Sequence, residues 1–427
     1  MATELNLLDY GAVADSNYYN DANDEWYVDE NFTTLSTDNT DSFRYALADA
    51  PNYSQTIIKM PNGGLKFLGT LWVPSNTTFK GGGMGVTFLY LGKGSTLDNT
   101  IFRDIERVEP LICTIAGSGQ ITFRDFTLHG DNFVHYDYIW GLAGILAKET
   151  EQIKFINVDV SRINLSNINA ENEWGYNGWG MTSLDCNDIE FLQCRGEYSG
   201  YQNFGFFDRS TNGLMTGCFS GMGRRTSTQV HRDTNNILIS KNTIINPVNS
   251  ANDTQLPHAA LTVHGEEGFE ARNLTIDDNY IEMVGGFKAA IQAFRQSEGL
   301  VVTHNRIKSN AEGVHLGDAD GAKVNYNKIS SNGNVTSWAL DAGNIGLNVV
   351  NYTKNSELKF NEVIGFDTPL NQDSNSMNNV TISDNEYRNF LVRQAKLFKN
   401  DNGRIVEVKP TKNVNGFSRK VVPFVKW

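Results

Sequence analysis

Along this chain the apolar positions fall into short alternating runs rather than helical periods. The unit reads apolar-x-apolar, a polar turn, then apolar-x-apolar-x-x-Asn. It recurs as GFFDRSTNGLMTGC from Gly205, STQVHRDTNNILISKN from Ser227 and ALTVHGEEGFEARNLTIDDN from Ala260, then as AIQAFRQSEGLVVTHN from Ala290, GVHLGDADGAKVNYN from Gly313 and GLNVVNYTKNSELKFN from Gly346. Alternation over a few residues at a fixed spacing predicts stacked short strands. An inward apolar position is expected at Leu184, Phe207, Val230, Val263, Ala293, Leu316 and Val349, in steps of 23, 23, 33, 30, 23 and 33 residues. The basic period is 23. The longer steps carry insertions such as 246–257 and 332–343, which is how a solenoid builds groove walls.

A second column follows the turn: Asn157, Cys194, Cys218, Asn242, Asn279, Asn305, Asn327, Asn361 and Asn385. Stacked Asn side chains hydrogen-bond along the stacking direction and satisfy amide groups that a bend would otherwise bury without partners. Turns this short leave no room for crossover helices, so the expected fold class is all-β, a parallel β-helix solenoid of three short strands per coil. At about 4.8 Å per coil, ten or so coils make a rod roughly 50 Å long. The expected organisation is an N-terminal cap with the first coils (1–90), the β-helix (91–388) and a C-terminal cap or attachment segment (389–427).

Side chains alternate in and out along a strand, so the residues flanking the inward position form two outward columns. One reads Ser183, Phe206, Gln229, Thr262, Gln292, His315 and Asn348; the other reads Asp185, Asp208, His231, His264, Phe294, Gly317 and Val350. The second column sets two carboxylates and two imidazoles on four successive coils, with Arg209, Arg232 and Arg295 alongside. Adjacent carboxylates can divide acid and base roles, and a His beside an Asp can abstract a proton α to a carboxylate that an arginine neutralises. The alternative is a polar outward face that merely stays wet. Trp174, Tyr176 and Trp179, in ENEWGYNGWG at 171–180, are candidate sugar-stacking residues overhanging Asp185, against plain loop packing.

Composition narrows the picture. With 40% hydrophobic and 20% charged residues the chain has enough apolar side chain for a core. The 39 glycines against nine prolines suit many tight turns. A net charge of -13 without a basic run argues against a nucleic-acid partner, and an anionic polymer would need local arginines to overcome that field. The four cysteines lack metal or redox spacing and read as reduced core residues. Met1-Ala-Thr-Glu-Leu-Asn has no basic start and no apolar stretch follows, so the expectation is a protein made without a signal peptide. No run of about 18 apolar residues offers a membrane span. Asp318-Ala-Asp320-Gly321 is the one place where calcium is left open, and it lacks the rest of a liganding series and reads as a turn. No other cofactor or metal is expected, and His129, His135 and His258 read as structural.

The first ninety residues add a resemblance. LLDYGAVAD at 7–15, DNTDSFRYALADA at 38–50, IIKMPNG at 57–63 and VPSNTTFKGGGMGVTFL at 73–89, continued by ITFRDFTLHGD at 121–131, resemble the opening of the pectate-lyase-like superfamily. That superfamily includes mannuronan epimerases, polygalacturonases and many phage tailspikes. The resemblance implies a single-stranded right-handed parallel β-helix with a short N-terminal helix over the open end of the core. The residues agree, with Asp38, Asn39, Thr40 and Asp41 at the cap and Phe43, Ala46, Leu47 and Ala50 on one face. The segment 16–35 is longer and more aromatic than in relatives. It reads as a solvated loop or as a lid facing a ligand or subunit.

NFGFFDRS at 203–210 loosely resembles the Tyr-Gly-Phe-Asp-Pro-His segment of the epimerases, with Phe204 in place of the Tyr. The order Asp185, Asp208, His231 is similar to the successive catalytic residues of polygalacturonases, with Arg209 where a second Asp would stand. Arg306-Ile307-Lys308 looks like that family's basic motif, but the coil alignment puts it on a different strand. The resemblance implies a polysaccharide-degrading protein, a phage tailspike or depolymerase-like virion component with lyase or glycosidase chemistry at Asp185, Asp208 and His231. Arg209, Arg232, His264, Arg295, Trp174, Tyr176 and Trp179 would bind substrate. The implied partners are an extracellular or cell-surface polysaccharide, two further copies in a homotrimer, and other virion proteins through the C-terminal segment, with no membrane. The alternatives are a non-enzymatic receptor-binding or structural virion protein, and a bacterial carbohydrate-active enzyme such as a uronate epimerase.

Overall fold

The computed structural model describes residues 2–20, 22–23, 25–98, 100–103, 106–130, 141–163, 178–223, 225–247, 259–284, 289–333, 344–376, 379–389, 396–401 and 404–408. Three short strands close each coil, as in Gln202–Phe207, Thr211–Thr216 and Phe219–Gly221. Each strand pairs in parallel with its counterpart one coil on, here Thr226–His231, Asn235–Ser240 and Thr243–Pro247. The same pairing runs through the body of the chain, giving a right-handed parallel β-helix with three faces, A, B and C, named for the first, second and third strand of a coil. The sequence insertions 131–140, 164–177, 248–258, 285–288 and 334–343 all fall between a third strand and the next first strand; they lie outside the described residues.

Alternation builds the core. Phe79, Phe123, Phe155 and Phe191 follow one another through successive coils with ring centroids 6.3, 5.2 and 4.7 Å apart, the first pair edge to face and the others stacked, all fully buried. The N-terminal helix, Thr40–Asp49, buries Phe43, Ala46 and Leu47, and Phe43 meets Phe67 and Phe79. Asp38 Oδ1 accepts from the Thr40 amide at the start of this helix. In the long aromatic insertion, Tyr18–Asn20 and Glu25–Tyr27 pair as an antiparallel hairpin, and Trp26 stacks on Tyr90 at 3.6 Å. The hairpin is packed onto the coil, not a solvated loop. At the other end Glu386–Asn389, Lys396–Asp401 and Arg404–Val408 pair antiparallel, which breaks the coil pattern.

The asparagine column forms a ladder. From Asn242 through Asn279, Asn305, Asn327 and Asn361 to Asn385, each backbone amide and each side-chain Nδ2 donates to the Oδ1 of the next rung. Each Nδ2 also donates to a backbone carbonyl, as Asn305 does to Ile276. Cys194 and Cys218 take the same place, the Cys194 amide donating to Cys218 Sγ at 3.3 Å. All four cysteines are free and buried. One rung differs from the sequence expectation: Ile156 pairs with Leu192 and Asp159 with Arg195, so Cys194 lies opposite Val158, not Asn157. Asn157 instead takes the preceding turn position with φ +54, shared by Gln193, Lys241, Asp278 and His304.

Face C carries a separate polar pocket lined by His129, Asp159, Ser161, Arg162, Arg195 and Glu197 among others. His129 Nδ1 lies 2.9 Å from Ser161 Oγ. Burial pushes the His129 imidazole down to about 4, with Arg162 adding to the effect. Burial pushes the Asp159 carboxyl up to about 6, Arg195 opposing and Glu197 reinforcing. The two groups act oppositely. The stability that neutral His129 contributes is present above 6.5 and is lost as pH falls through 4, whereas that of protonated Asp159 is full below 3.8 and is lost as pH rises through 6. Asp159→Asn is therefore expected to stabilise the protein at pH 8 by about 2 kcal/mol, with the gain shrinking toward pH 4 in melting curves at the two pH values.

Candidate functional site

Face A holds the residues that the sequence singled out, but in a register shifted at one coil. Leu184 pairs with Phe207, as expected from a step of 23, whereas Val230 pairs with Phe206. Asn187 pairs with Thr211, so the extra residue enters in the turn Asp208-Arg209-Ser210. Ser183 and Phe206 therefore face inward, while Leu184 and Phe207 face outward in a second apolar cluster with Trp179 and Tyr201. His231 pairs directly with His264, and His264 with Phe294. The outward column is thus Leu184, Phe207, His231, His264, Phe294. Asp185 and Asp208 leave it.

Both aspartates sit in the turn after the strand. Asp185 has φ +54 and Asp208 φ +23, with Arg209, Arg295 and Asp318 also left-handed. Asp and Asn tolerate this region better than most residues, so the turn alone accounts for part of the acidic run. The carboxylates still reach functional partners. Asp208 Oδ1 lies 3.1 Å from His231 Nδ1 and accepts from Arg232 Nε at 3.0 Å. Arg232 Nη1 donates to Glu266 Oε2 at 2.8 Å, and Arg209 Nη2 donates to Asp185 Oδ2 at 2.6 Å. Burial opposes the Arg232 charge, but hydrogen bonds to Asp208 and Glu266 hold its pKa above the ordinary guanidinium value. The hydrogen bond to Asp185 does the same for Arg209. An ionised Asp208 only accepts, so its bond to His231 places the proton on Nδ1 and leaves Nε2 as the basic nitrogen.

Rings fix these imidazoles. Trp179 stacks on Phe207 at 5.3 Å, Phe207 on His231 at 4.8 Å and His264 on Phe294 at 4.3 Å, while His231 meets His264 edge to face at 4.8 Å. The column runs through five coils. Trp179 is 1% exposed and spends its face on Phe207, so it packs the column and does not offer a stacking platform to a sugar. Trp174 and Tyr176 lie outside the described residues. Arg295 is exposed, its guanidinium over the Phe294 ring. Arg306 and Lys308 are on face C over Tyr280, away from this column. Asp318 to Asp320 belong to a strand and not to a turn, and Asp320 is engaged by Lys354 and Asn355.

Two features escaped the sequence reading. Glu266 was not singled out, although its place two residues after His264 was visible. Further along face A, His315 Nδ1 lies 2.6 Å from Glu312 Oε2, and Asn348 Nδ2 donates to Glu312 Oε1 at 2.9 Å. Residues 312 and 315 are three apart on one strand, a spacing that strict alternation does not pair.

No family model matches the chain, and no curated protein matches it. Solved structures do. A mannuronan C-5 epimerase A-module from Azotobacter vinelandii is 14% identical with a TM-score of 0.58, covering 90% of this chain and 95% of that one. The Dettilon tailspike protein is 10% identical with a TM-score of 0.58, covering 90% and 70%. PfbA, a surface adhesin of Streptococcus pneumoniae, is 12% identical with a TM-score of 0.56, covering 95% and 100%. With strands, ladder and these likenesses in agreement, the chain has the pectate-lyase-like right-handed parallel β-helix fold.

Proposed function

We propose that this protein binds an extracellular or cell-surface polysaccharide along face A and cleaves it there, as a phage tailspike or depolymerase-like virion component. The observation that carries the reading is the three-way contact of Asp208 with His231 and Arg232. The solved epimerase and tailspike with the same fold support a polysaccharide as partner.

In the chemistry we favour, Asp208 orients His231 so that Nε2 takes the proton α to a uronate carboxylate. The C–H electron pair becomes the new ring double bond, and the glycosidic oxygen leaves from the adjacent carbon with its bonding pair. Arg232, with Arg209 and Arg295 at the rim, neutralises carboxylates that the overall charge of -13 would repel. Asp185 serves through Arg209, which it holds. Phe204, at the position matching the epimerase phenol, is buried in the core, so epimerisation through that phenol has no group to use.

A second reading, receptor binding without chemistry, is favoured by one observation: Asp208 and His231 are each only 7% exposed. Incubation with a panel of uronate and neutral polysaccharides separates the two. New ultraviolet absorbance from unsaturated ends is expected with a uronate polymer. Reducing ends without absorbance would indicate a hydrolase, and retained binding with neither would establish the second reading. A homotrimer by light scattering is expected for a tailspike, with attachment to other virion proteins through 389–427.

A further inference from the structure

We propose that His231, His264 and Glu266 form a binding site for a divalent transition-metal ion such as Zn2+. One ligand atom from each residue lies within 4.8 Å of the other two, and this is the one such group of three among the described residues. The fold produces the convergence. His231 and His264 are register partners on adjacent coils, so their side chains leave face A side by side, one coil apart. Their ring centroids are 4.8 Å apart and their planes meet at 89°. Phe207 below and Phe294 above hold that geometry. Glu266 comes from the short turn just after His264, closed by the backbone bridge between Glu266 and Phe269.

The surroundings suit an ion. A carboxylate on the far nitrogen of a ligating His fixes its tautomer and raises its basicity, and Asp208 stands there on His231 Nδ1. Arg232 occupies Glu266 Oε2, which leaves Oε1 for a metal. Asp208 and Glu266 together against Arg232 give one net negative charge beside the two imidazoles, which favours a dication. Bonds of about 2.1 Å to one ion would draw the three ligand atoms, now within 4.8 Å of one another, closer together, with Glu266 on its partly exposed turn the side chain least held by packing. Two nitrogens and one carboxylate oxygen select ions that accept imidazole, whereas calcium prefers all-oxygen sites. Three protein ligands leave a position open.

This site shares His231 with the polysaccharide reading but does not depend on it. An ion on Nε2 takes the lone pair that proton abstraction needs, so metal and elimination compete.

The test is calorimetric titration of the chelator-treated protein with Zn2+ alone, without polysaccharide. One ion per chain is expected, weakened more than about 100-fold by His264→Ala and by Glu266→Gln, and about 10- to 100-fold by Asp208→Asn. Glu266 is on a partly exposed turn, so its variant folds even if His264→Ala, which removes a ring packed on Phe294, does not. A Co2+ spectrum reports the donors. Absence of binding, binding unchanged in Glu266→Gln, thiolate charge-transfer bands, or displacement by Ca2+ would each overturn the proposal.

Discussion

Replacing Asn305 by alanine is expected to destabilise the rod by about 3–5 kcal/mol, a loss visible as a large fall in melting temperature. Asn305 Oδ1 accepts from both the backbone amide and Nδ2 of Asn279, and its own Nδ2 donates to Ile276, Thr303 and Asn327. Alanine strips the Asn279 amide and the Ile276 carbonyl of these partners inside the core, at about 1–3 kcal/mol for each buried group left unsatisfied. Asn305→Asp keeps the shape but puts an acceptor against the Ile276 carbonyl, and should not rescue. A fall below about 1 kcal/mol for Asn305→Ala would mean that the ladder follows from the coil and does not help hold it.

The second large effect is expected at Asp208. Asp208→Asn keeps the size of the side chain and an oxygen for Arg232, but it no longer supplies a carboxylate to fix His231. On a polysaccharide that the wild-type protein cleaves, kcat should fall about 10²- to 10⁴-fold with KM little changed, because the loss is in proton transfer and not in grip. Arg209→Ala should do the reverse, raising KM, since its guanidinium is exposed at the rim and its partner Asp185 lies in the turn. Wild-type kcat in Asp208→Asn would remove the pair from the chemistry and leave face A as a binding surface.

The fold was legible because its signal is repeated. Inward apolar residues, asparagines and turn residues recur in nearly every coil, and a mistake at one coil leaves the others intact. The site was less legible for a local reason. Phe206 and Phe207 are both apolar, so that coil admits two registers. A shift of one residue exchanges the faces, since the side-chain period is two. The constant step of 23 chose Phe207 as the inward residue and thereby put Asp185 and Asp208 in line with His231. The turn of this coil is one residue longer, and Phe206 turns inward. Asp208 reaches His231 diagonally all the same. Glu266 had no signal to set it apart, because Asp233 stands likewise two residues after His231; what makes Glu266 notable is its closeness to His231, which a linear pattern does not encode. Asn157 was misplaced for a related reason: a left-handed turn and a ladder rung both favour asparagine, and they are neighbours in the chain.

The ladder also has a mechanical meaning. Its rungs lie in series along the rod, all donating in one direction, so within the ladder the softest link yields first. Six of the rungs are carboxamides, but the Cys194 amide hands its bond to a sulfur, a weak acceptor. Under tension the spine would therefore part first between the coils of Cys194 and Cys218. Those are the coils whose turns carry Asp185 and Asp208, so the softest rung of the spine lies at the level of the candidate site.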